Sequence, residues 1–417
     1  MEKMIKKGQY RQAEVTLPPS KSLSHRVVIA AALADGVSTI ANLGDSKDIT
    51  ATKDALRHLG ITFTEGDILQ VEGKAQWELD GQIVDCNESG STLRFMIPIF
   101  SLRPDLTTFT GRGRLMERPQ NVYQQLWHER GLMFTQKDAF LRVQGPLRAG
   151  TFMMDGNVSS QFVSGLLFAL PLCEGDSKIV VRKPFESSSY VGLTLDVLAK
   201  AGIEIDTDGY TFYIKGGQHY HPAHYVVPGD DSQMVFFAAC ALLYGIPVDI
   251  LGADQHSKQG DHVLLEHMQA FGGKVAPICG GYRISPGEYH GACIDLGDCP
   301  DLGPMLFALA SQMPGKTVFK HCMRLRMKES DRIACMEEEL RKLGCQITSH
   351  GGTVTVEGKP GIISGQVLDG HNDHRIVMAL SVLAGIGEGT RITGAEAITK
   401  SYPGFFEDLA KIGVEIC

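Results

Sequence analysis

Residues 56–73 read LRHLGITFTEGDILQVEG: the end of a helix, a glycine, a short strand, a turn, a second strand and a closing glycine. The same order recurs at residues 125–145, 198–216, 268–287 and 340–358, and a shortened copy occupies residues 409–417. The glycines that end these helices are Gly60, Gly131, Gly202, Gly272, Gly344 and Gly413. Their spacing of 69 to 72 residues predicts an internal repeat with six copies.

The other half of each copy predicts a further helix and a β-rich run. These first helices are expected at residues 22–34, 91–102, 160–172, 232–244, 302–312 and 374–384. The β-rich runs follow at residues 37–43, 107–112, 178–182, 247–252, 317–321 and 391–395. Each copy therefore reads strand, helix, strand, helix, strand, strand, and its crossovers are long enough for parallel strands to pair. The pattern predicts an α/β fold.

The two ends of the chain complete the pattern. The sixth copy stops after one strand, whereas residues 3–7 and 12–17 are strand-like, so we expect both ends to complete one copy together. This predicts a discontinuous domain, residues 1–17 plus 229–417, and a continuous domain, residues 18–228, with three copies each. Pro18-Pro19 and Pro228-Gly229 mark the crossings. Two closed pseudo-threefold domains suit such units better than a solenoid, and we expect the functional site in the cleft between them.

Composition excludes several classes of protein. The 417 residues are 43% hydrophobic and 21% charged, which is typical of globular domains, and no apolar run is long enough for a signal peptide or a membrane span. We therefore expect a cytoplasmic protein. A net charge of −8 argues against general nucleic-acid binding. The ten cysteines lack any C-x-x-C spacing, and His219, His221 and His224 have no accompanying carboxylate pattern, so we expect no metal site.

Polar and basic residues open the predicted first helices. Residues 19–26, PSKSLSHR, place three hydroxyls, Lys21 and Arg26 at a helix start, whose free N–H groups attract anions. Serine and aspartate N-caps would explain the polar residues at the other helix starts. They do not explain Lys21, Arg26, Arg94 and Arg375, because cations just inside a helix oppose its dipole. We therefore expect a site for anionic ligands.

Seven stretches, in order, resemble the 5-enolpyruvylshikimate-3-phosphate synthase family. They are PSKSLSHR (19–26), ESGSTLR (88–94), ERP (117–119), SSQF (159–162), KESDR (328–332), NDHR (372–375) and KSYP (400–403). The resemblance spans nearly the whole chain. It implies two inside-out α/β domains of three repeats each, and an enzyme that transfers a carboxyvinyl group from phosphoenolpyruvate to shikimate 3-phosphate. It implies no cofactor, no membrane partner and a monomer.

The resemblance also implies which residues bind each substrate. The positions that match shikimate 3-phosphate ligands are Lys21, Ser22, Arg26, Ser159, Ser160, Gln161, Ser187, Asp301 and Lys328. The positions that match phosphoenolpyruvate ligands are Lys21, Gly90, Arg118, Gln161, Arg332, Arg375 and Lys400. Both substrates carry phosphate and carboxylate groups, and the planar fork of arginine can donate two hydrogen bonds to either group. Gly90 would let a substrate approach the backbone.

Three residues are expected to carry the chemistry. By resemblance, Asp301 handles the proton of the shikimate 5-hydroxyl, Glu329 serves the methylene carbon of phosphoenolpyruvate, and Lys21 lies beside the leaving phosphate. A structural alternative makes Asp301 a helix N-cap and Glu329 an acidic residue in a helix first turn. The sequence does not decide which carboxylate makes which proton transfer.

Two departures from the family pattern and two alternative functions stay open. Glu88 and Arg324 stand where the family often has asparagine, which leaves substrate affinity and sensitivity to the inhibitor glyphosate undecided. The closest alternative is a carboxyvinyl transferase acting on UDP-N-acetylglucosamine, although that family has asparagine after the lysine where this chain has Ser22. The other is a non-catalytic binder of phosphorylated metabolites, which would have no use for Asp301 and Glu329 together.

Overall fold

The computed structural model describes residues 1–77 and 83–417. The chain forms two compact units. The discontinuous unit comprises Met1–Pro18 and Pro228–Cys417, and the continuous unit comprises Pro19–Val227. Of the helices in the described residues, none has both the length and the apolar character needed to cross a membrane.

The chain begins with two strands of the discontinuous unit, β1 (Glu2–Lys6) and β2 (Ala13–Thr16). The continuous unit then contains α1 (Lys21–Leu33), β3 (Gly36–Ala41), α2 (Lys47–Arg57), β4 (Thr62–Thr64), β5 (Ile68–Gly73), β6 (Ile83–Asp85), α3 (Gly90–Phe100), β7 (Leu106–Thr110), α4 (Asn121–Glu129), β8 (Met133–Lys137), β9 (Phe140–Gln144), β10 (Thr151–Asp155), α5 (Ser160–Ala169), β11 (Ser177–Arg182), α6 (Ser188–Lys200), β12 (Ile205–Thr207), β13 (Thr211–Ile214) and β14 (His224–Val226).

The chain then returns to the discontinuous unit. Its elements are α7 (Asp231–Tyr244), β15 (Val248–Leu251), α8 (Leu264–Ala270), β16 (Lys274–Ile278), β17 (Gly281–Ser285), β18 (Cys293–Asp295), α9 (Gly303–Ala310), β19 (Gly315–Lys320), α10 (Arg332–Lys342), β20 (Gln346–His350), β21 (Thr353–Gly358), β22 (Val367–Asp369), α11 (His374–Ala384), β23 (Thr390–Thr393), α12 (Phe405–Lys411) and β24 (Glu415–Ile416). Short 3₁₀ helices join several of them, including Gly260–Val263, Pro300–Leu302 and Ala395–Lys400.

The predicted repeat is confirmed. All six helix-ending glycines have positive φ, between 66° and 102°, a conformation that side chains with a Cβ rarely adopt. The first helices also lie where the sequence predicts them, with two shorter than expected. The third ends at Ala169 and continues as a 3₁₀ turn, since Pro171 has no N–H to donate, and the fifth begins with the 3₁₀ turn Pro300–Leu302.

Six four-stranded sheets in the described residues repeat one topology. In the sheet β6-β7-β9-β8, the strand before the first helix lies parallel to the strand after it, and the final hairpin adds two antiparallel neighbours. The orders β14-β3-β5-β4, β10-β11-β13-β12, β16-β17-β15-β2, β18-β19-β21-β20 and β22-β23-β1-β24 follow the same scheme. The sheets are thus built from one repeated unit.

The expectation that both N-terminal segments complete the sixth copy is only half right. Strand β1 does so, because it pairs with β23 and β24. Strand β2 instead lies parallel to β15 and supplies the first strand of the fourth copy. Strand β14 correspondingly lies parallel to β3 and completes the first copy. The chain therefore changes unit between a strand and the helix that follows it.

Helices form the centre of each unit and sheets form its outside. Every residue from position 234 to 241 of α7 is 0% exposed, and α7, α9 and α11 pack against one another. A helix that is apolar on all sides must be surrounded by protein. The strands instead alternate, as in β5, whose side chains are exposed and buried in turn. This is the inside-out arrangement that the family resemblance implies.

Candidate functional site

In the discontinuous unit, Arg332 is the centre of a cluster of charged side chains. It opens α10, its side chain is 1% exposed, and three carboxylates surround its guanidinium. Nη1 donates to Asp301 Oδ1 and Nη2 to Glu329 Oε2, each at 2.8 Å, while Nε donates to Asp373 Oδ2 at 2.8 Å. Buried charges need such pairing, and these carboxylates raise the pKa of Arg332. A ligand that binds Arg332 must therefore compete with carboxylates for its N–H groups.

Asp301 lies between three cations. Lys328 Nζ is 3.0 Å and Arg332 Nη1 2.8 Å from Oδ1, and Arg375 Nη2 is 3.7 Å from Oδ2. Burial alone would raise the pKa of Asp301, but Lys328, Arg375 and Arg332 hold it well below its usual range. Burial lowers the pKa of Lys328, and Asp301 only partly opposes this effect. The three cations thus keep this carboxylate ionised.

Neither structural alternative for the two carboxylates describes their contacts. Asp301 lies inside the turn Pro300–Leu302, and its side chain contacts cations rather than capping a helix. Glu329 is not in the first turn of a helix, because α10 begins only at Arg332. Asp331 is the N-cap, and its Oδ1 accepts from Ala334 N at 3.0 Å. Glu329 therefore lies outside the helix, with its carboxylate on Arg332.

Arg375 and Lys400 also belong to this cluster. Arg375, in the first turn of α11, donates to the carbonyl oxygen of Ser232 at 3.0 Å, to the hydroxyl of Ser232 at 2.6 Å and to the carbonyl oxygen of Asp301 at 3.2 Å. Lys400 ends the turn Ala395–Lys400 and donates to Asn372 O at 2.6 Å. Asp373 caps α11 by accepting from Arg375 N at 2.9 Å. These contacts explain how cations are held at a helix start.

In the continuous unit, the octapeptide of residues 19–26 forms the start of α1. Ser20 is at the N-cap position, and Lys21 Nζ is 3.0 Å from Asp48 Oδ2. Arg26 is 2% exposed and donates to Thr194 Oγ1 at 2.8 Å, to Ser22 O at 2.6 Å and to Tyr190 O at 2.9 Å. Burial lowers the pKa of Arg26 to about 10. Arg26 thus ties α1 to α6 near Ser22.

A second group of side chains surrounds the starts of α3 and α5. Gln161 donates to Ser91 Oγ at 2.8 Å and accepts from Arg94 Nη1 at 2.8 Å. A Cβ on Gly90 would overlap the guanidinium of Arg118, which is 8% exposed. Absence of that Cβ therefore lets a cation lie directly on the first turn of α3.

The three predicted serines lie at helix starts of the same unit. Ser159 caps α5 by accepting from Gln161 N at 3.3 Å, and Ser160 is the first residue of that helix. Ser187 precedes α6, is fully buried and has φ of 54°. Positive φ in a serine is uncommon and is typical of positions that the surrounding structure constrains.

Sequence reasoning assigned no substrate to three residues that contact the predicted ligands. Asp48 and Asp373 pair with predicted ligands, and Arg94 holds Gln161. Arg94 and Asp373 lie in recognised motifs, which could have identified them, whereas Asp48 lies in none. Arg324 and Glu88 are the two residues that depart from the family pattern. Arg324 is 7% exposed and donates to Gly297 O at 3.4 Å, and Glu88 is partly buried.

The three histidines considered as metal ligands do not gather into a group. His224 Nδ1 lies 2.8 Å from Thr39 Oγ1. Within the described residues, the group with ligand atoms close enough for a metal ion is Glu338, Glu339 and His371. Lys342 Nζ already lies 3.2 Å from Glu338 and 2.8 Å from Glu339, so these carboxylates have a cation.

Comparisons with known proteins agree with one another. The family model described as EPSP synthase (3-phosphoshikimate 1-carboxyvinyltransferase) matches residues 5–409. The 3-phosphoshikimate 1-carboxyvinyltransferase of Clostridium kluyveri is 40% identical over 410 residues, which cover 97% of this chain and 96% of that protein. The protein of the same name from Clostridium novyi is 39% identical over 414 residues, covering 96% of this chain and 95% of the relative.

Solved structures with the same fold are more distant in sequence. EPSP synthase from Acinetobacter baumannii has a TM-score of 0.81 at 23% identity, covering 100% of this chain and 99% of that one. The enolpyruvyl transferase NikO from Streptomyces tendae has a TM-score of 0.80 at 17% identity, covering 100% and 98%. These likenesses confirm the fold class.

Proposed function

Because this chain belongs to the EPSP synthase family, we propose that the two clusters of cationic side chains are the two halves of one substrate site. The enzyme transfers the carboxyvinyl group of phosphoenolpyruvate to the 5-hydroxyl of shikimate 3-phosphate and releases phosphate, a step of aromatic amino acid biosynthesis. Both substrates are small and highly anionic. Residues from both units are required to hold them, which is the reason for placing the site in the cleft between the units.

The continuous unit supplies most of the ligands for shikimate 3-phosphate in this proposal. Serine hydroxyls suit its phosphate because they donate hydrogen bonds without adding charge, and Arg26 adds a cation. The residues assigned to this substrate are Lys21, Ser22, Arg26, Ser159, Ser160, Gln161 and Ser187, with Asp301 and Lys328 from the discontinuous unit. Gln161 is already oriented by Ser91 and Arg94, so its amide needs little reorganisation to bind a substrate.

Most of the ligands assigned to phosphoenolpyruvate are cations, and two of the ligands, Lys21 and Gln161, are shared with shikimate 3-phosphate. The residues assigned to it are Lys21, Gly90, Arg118, Gln161, Arg332, Arg375 and Lys400. Arg332 and Arg375 are buried against carboxylates, which hold the two guanidinium groups in place with their charge retained.

The observation that carries the mechanism is the position of Asp301 between Lys328, Arg332 and Arg375. An ionised carboxylate inside an anion site can accept the proton of the 5-hydroxyl as that oxygen attacks the cationic carbon of phosphoenolpyruvate. Glu329, on Arg332, is assigned to proton transfer at the methylene carbon. Lys21 is assigned to the oxygen of the departing phosphate, where its charge offsets developing negative charge. Side chains can supply all of these proton transfers, so the proposal includes no cofactor.

Phosphate release tests this assignment. We expect Asp301→Asn to lower turnover at saturating substrates by ~100-fold or more, since asparagine keeps a hydrogen-bond acceptor for Arg332 but is not a base. Asp295→Asn is the matched control, because Asp295 is 60% exposed and pairs with His321. Near-normal turnover of Asp301→Asn would remove Asp301 from the mechanism. If phosphate is released only when a UDP-amino sugar is the acceptor, the assignment of shikimate 3-phosphate as the acceptor substrate is wrong.

The proposal also covers oligomeric state, cellular location and nucleic-acid binding. We infer a monomer in the cytoplasm that binds no nucleic acid, and the net charge of −8 supports the last point.

A further inference from the structure

A buried carboxylate and a histidine form a pair behind the proposed phosphoenolpyruvate ligands. Asp231 is the first residue of α7, and its side chain is 0% exposed. Its Oδ2 is 2.9 Å from Nδ1 of His262, which lies in the 3₁₀ turn Gly260–Val263. The hydroxyl of Tyr282, on β17, is 3.3 Å from the other ring nitrogen of His262. Three elements therefore meet at this imidazole.

The pair is joined to Arg375 through one residue. Ser232 follows Asp231 in the first turn of α7, and both its carbonyl oxygen and its hydroxyl accept hydrogen bonds from the Arg375 guanidinium. The hydroxyl of Ser232 in turn donates to Asp230, the N-cap of α7. The direction in which Arg375 points thus depends on where the first turn of α7 is held.

The surroundings of His262 favour its protonated form. The hydrogen bond to Asp231 raises the pKa of His262 above its usual value, although partial burial opposes this, and Asp254 and Glu266 act in the same direction as Asp231. Burial raises the pKa of Asp231, whereas His262 and Ser257 lower it and Asp230 raises it further. The pKa of Tyr282 is also raised, by burial and by Asp231 and Asp254, so its phenol stays neutral. The hydrogen bond therefore favours an imidazolium that faces the buried Asp231 carboxylate.

We infer that His262 and Asp231 are positioning residues, which hold the first turn of α7 and thereby fix Arg375 for binding phosphoenolpyruvate. The inference rests on the proposed role of Arg375. When His262 loses its proton, the buried Asp231 carboxylate loses its counter-charge, and the contact that fixes the turn weakens. Affinity for phosphoenolpyruvate then falls as pH rises through the pKa of His262. Affinity for shikimate 3-phosphate changes less, because most of its assigned ligands lie on the continuous unit.

The KM for phosphoenolpyruvate, measured against pH at saturating shikimate 3-phosphate, tests the inference. In the parent we expect KM to rise by about threefold or more across the pKa of His262, which an NMR titration of its imidazole locates. His262→Gln should have the high KM throughout and no such step. Asp231→Asn should also raise KM and abolish the step, because deprotonation of His262 then leaves no buried carboxylate without a counter-charge. His321→Gln is the matched control, since it removes an exposed histidine–aspartate contact of the same length in the same unit.

Two outcomes overturn the inference. One is a pH profile of KM that is the same in the parent and in His262→Gln. The ratio of the two KM values is compared at each pH, because the ionisation of phosphoenolpyruvate itself affects both proteins equally and cancels. The other is an equal change in the KM values of both substrates, which indicates general loosening. Arg375→Gln, assayed in parallel, separates this inference from the proposed function. An unchanged KM for phosphoenolpyruvate there would refute the assignment of Arg375 itself. A raised KM there, with no effect of His262→Gln or Asp231→Asn, would refute only the positioning role.

Discussion

Ion pairing decides how individual residues of the site can act. Arg332 is paired with Asp301, Glu329 and Asp373, and Lys21 is paired with Asp48, so anions hold both of these cations before any substrate binds. A paired cation keeps its orientation and its charge in a buried setting. The cost is that a variant without one partner leaves the other charge uncompensated, which affects stability as well as activity.

Lys21→Ala should therefore have two separable effects. We expect turnover to fall by ~100-fold or more, because the leaving phosphate loses its cation. We also expect the free energy of unfolding to fall by about 1 to 3 kcal/mol, since Asp48, 9% exposed, loses its partner. The double variant Lys21→Ala/Asp48→Asn should recover stability in a denaturant titration but not turnover. Recovery of both would show that Lys21 acts only through Asp48.

Sequence patterns predicted the identities of these residues better than their partners. Lys21 and Arg375 could be recognised because cations inside a helix start have no local explanation, whereas Arg332 was identified by its motif, residues 328–332. Asp48 could not, because its contact with Lys21 joins positions 27 residues apart and depends on how α1 and α2 pack. Nothing local distinguishes such an aspartate from an exposed one.

At the scale of elements, the loop before α11 depends on a buried carboxylate. Glu339, on α10, is 0% exposed, and its side chain accepts from Asp369 N at 3.1 Å and lies 2.8 Å from His371 Nε2. His371 and Asn372 both have positive φ, and Lys400 is bonded to Asn372. The loop that carries Asp373 and Arg375 is therefore held in an uncommon conformation by contacts with a neighbouring helix.

His371→Gln should destabilise the protein in a pH-dependent way. Contacts with Cys335 and Glu339 raise the pKa of His371 to about 10, despite partial burial. A raised pKa means that this histidine stabilises the fold fully below its unfolded pKa of about 6.5, and that the contribution is lost as pH rises towards 10. The difference in Tm between parent and variant should thus be largest near about pH 6 and shrink at alkaline pH. His290→Gln, at an exposed position, is the control; a difference in Tm that does not vary with pH would contradict the assignment.

Element types were predictable because each repeat carries its own local signals, above all the glycine that ends the second helix. Pairing of the strands was less predictable. Residues 3–7 and 12–17 have similar strand-like patterns, yet β1 joins the sixth sheet and β2 the fourth. Strand partners are chosen by long-range packing, on which a short apolar run gives no information.

The whole molecule is expected to respond to its substrates. If the cationic clusters of the two units form one site, their like charges repel each other until an anion neutralises them. We expect the radius of gyration, measured by small-angle X-ray scattering, to fall when shikimate 3-phosphate and phosphoenolpyruvate are both bound. Shikimate alone, without its phosphate, serves as the control ligand. An unchanged radius with both substrates at saturation would argue against closure.

The crossings between the units have a consequence for how such a chain can be recombined. Pro18 O accepts a hydrogen bond from Asp230 N at 2.9 Å, so the discontinuous unit is left and re-entered at one point. In the discontinuous unit, β2 would lead directly into α7 if the continuous unit were removed. In the continuous unit, joining β14 to α1 would close the same pattern. Each unit therefore has the connectivity of a circular permutant of three modules with one topology. Genetic exchange at these two points would transfer the continuous unit whole, with all four strands of each of its sheets, between homologous enzymes.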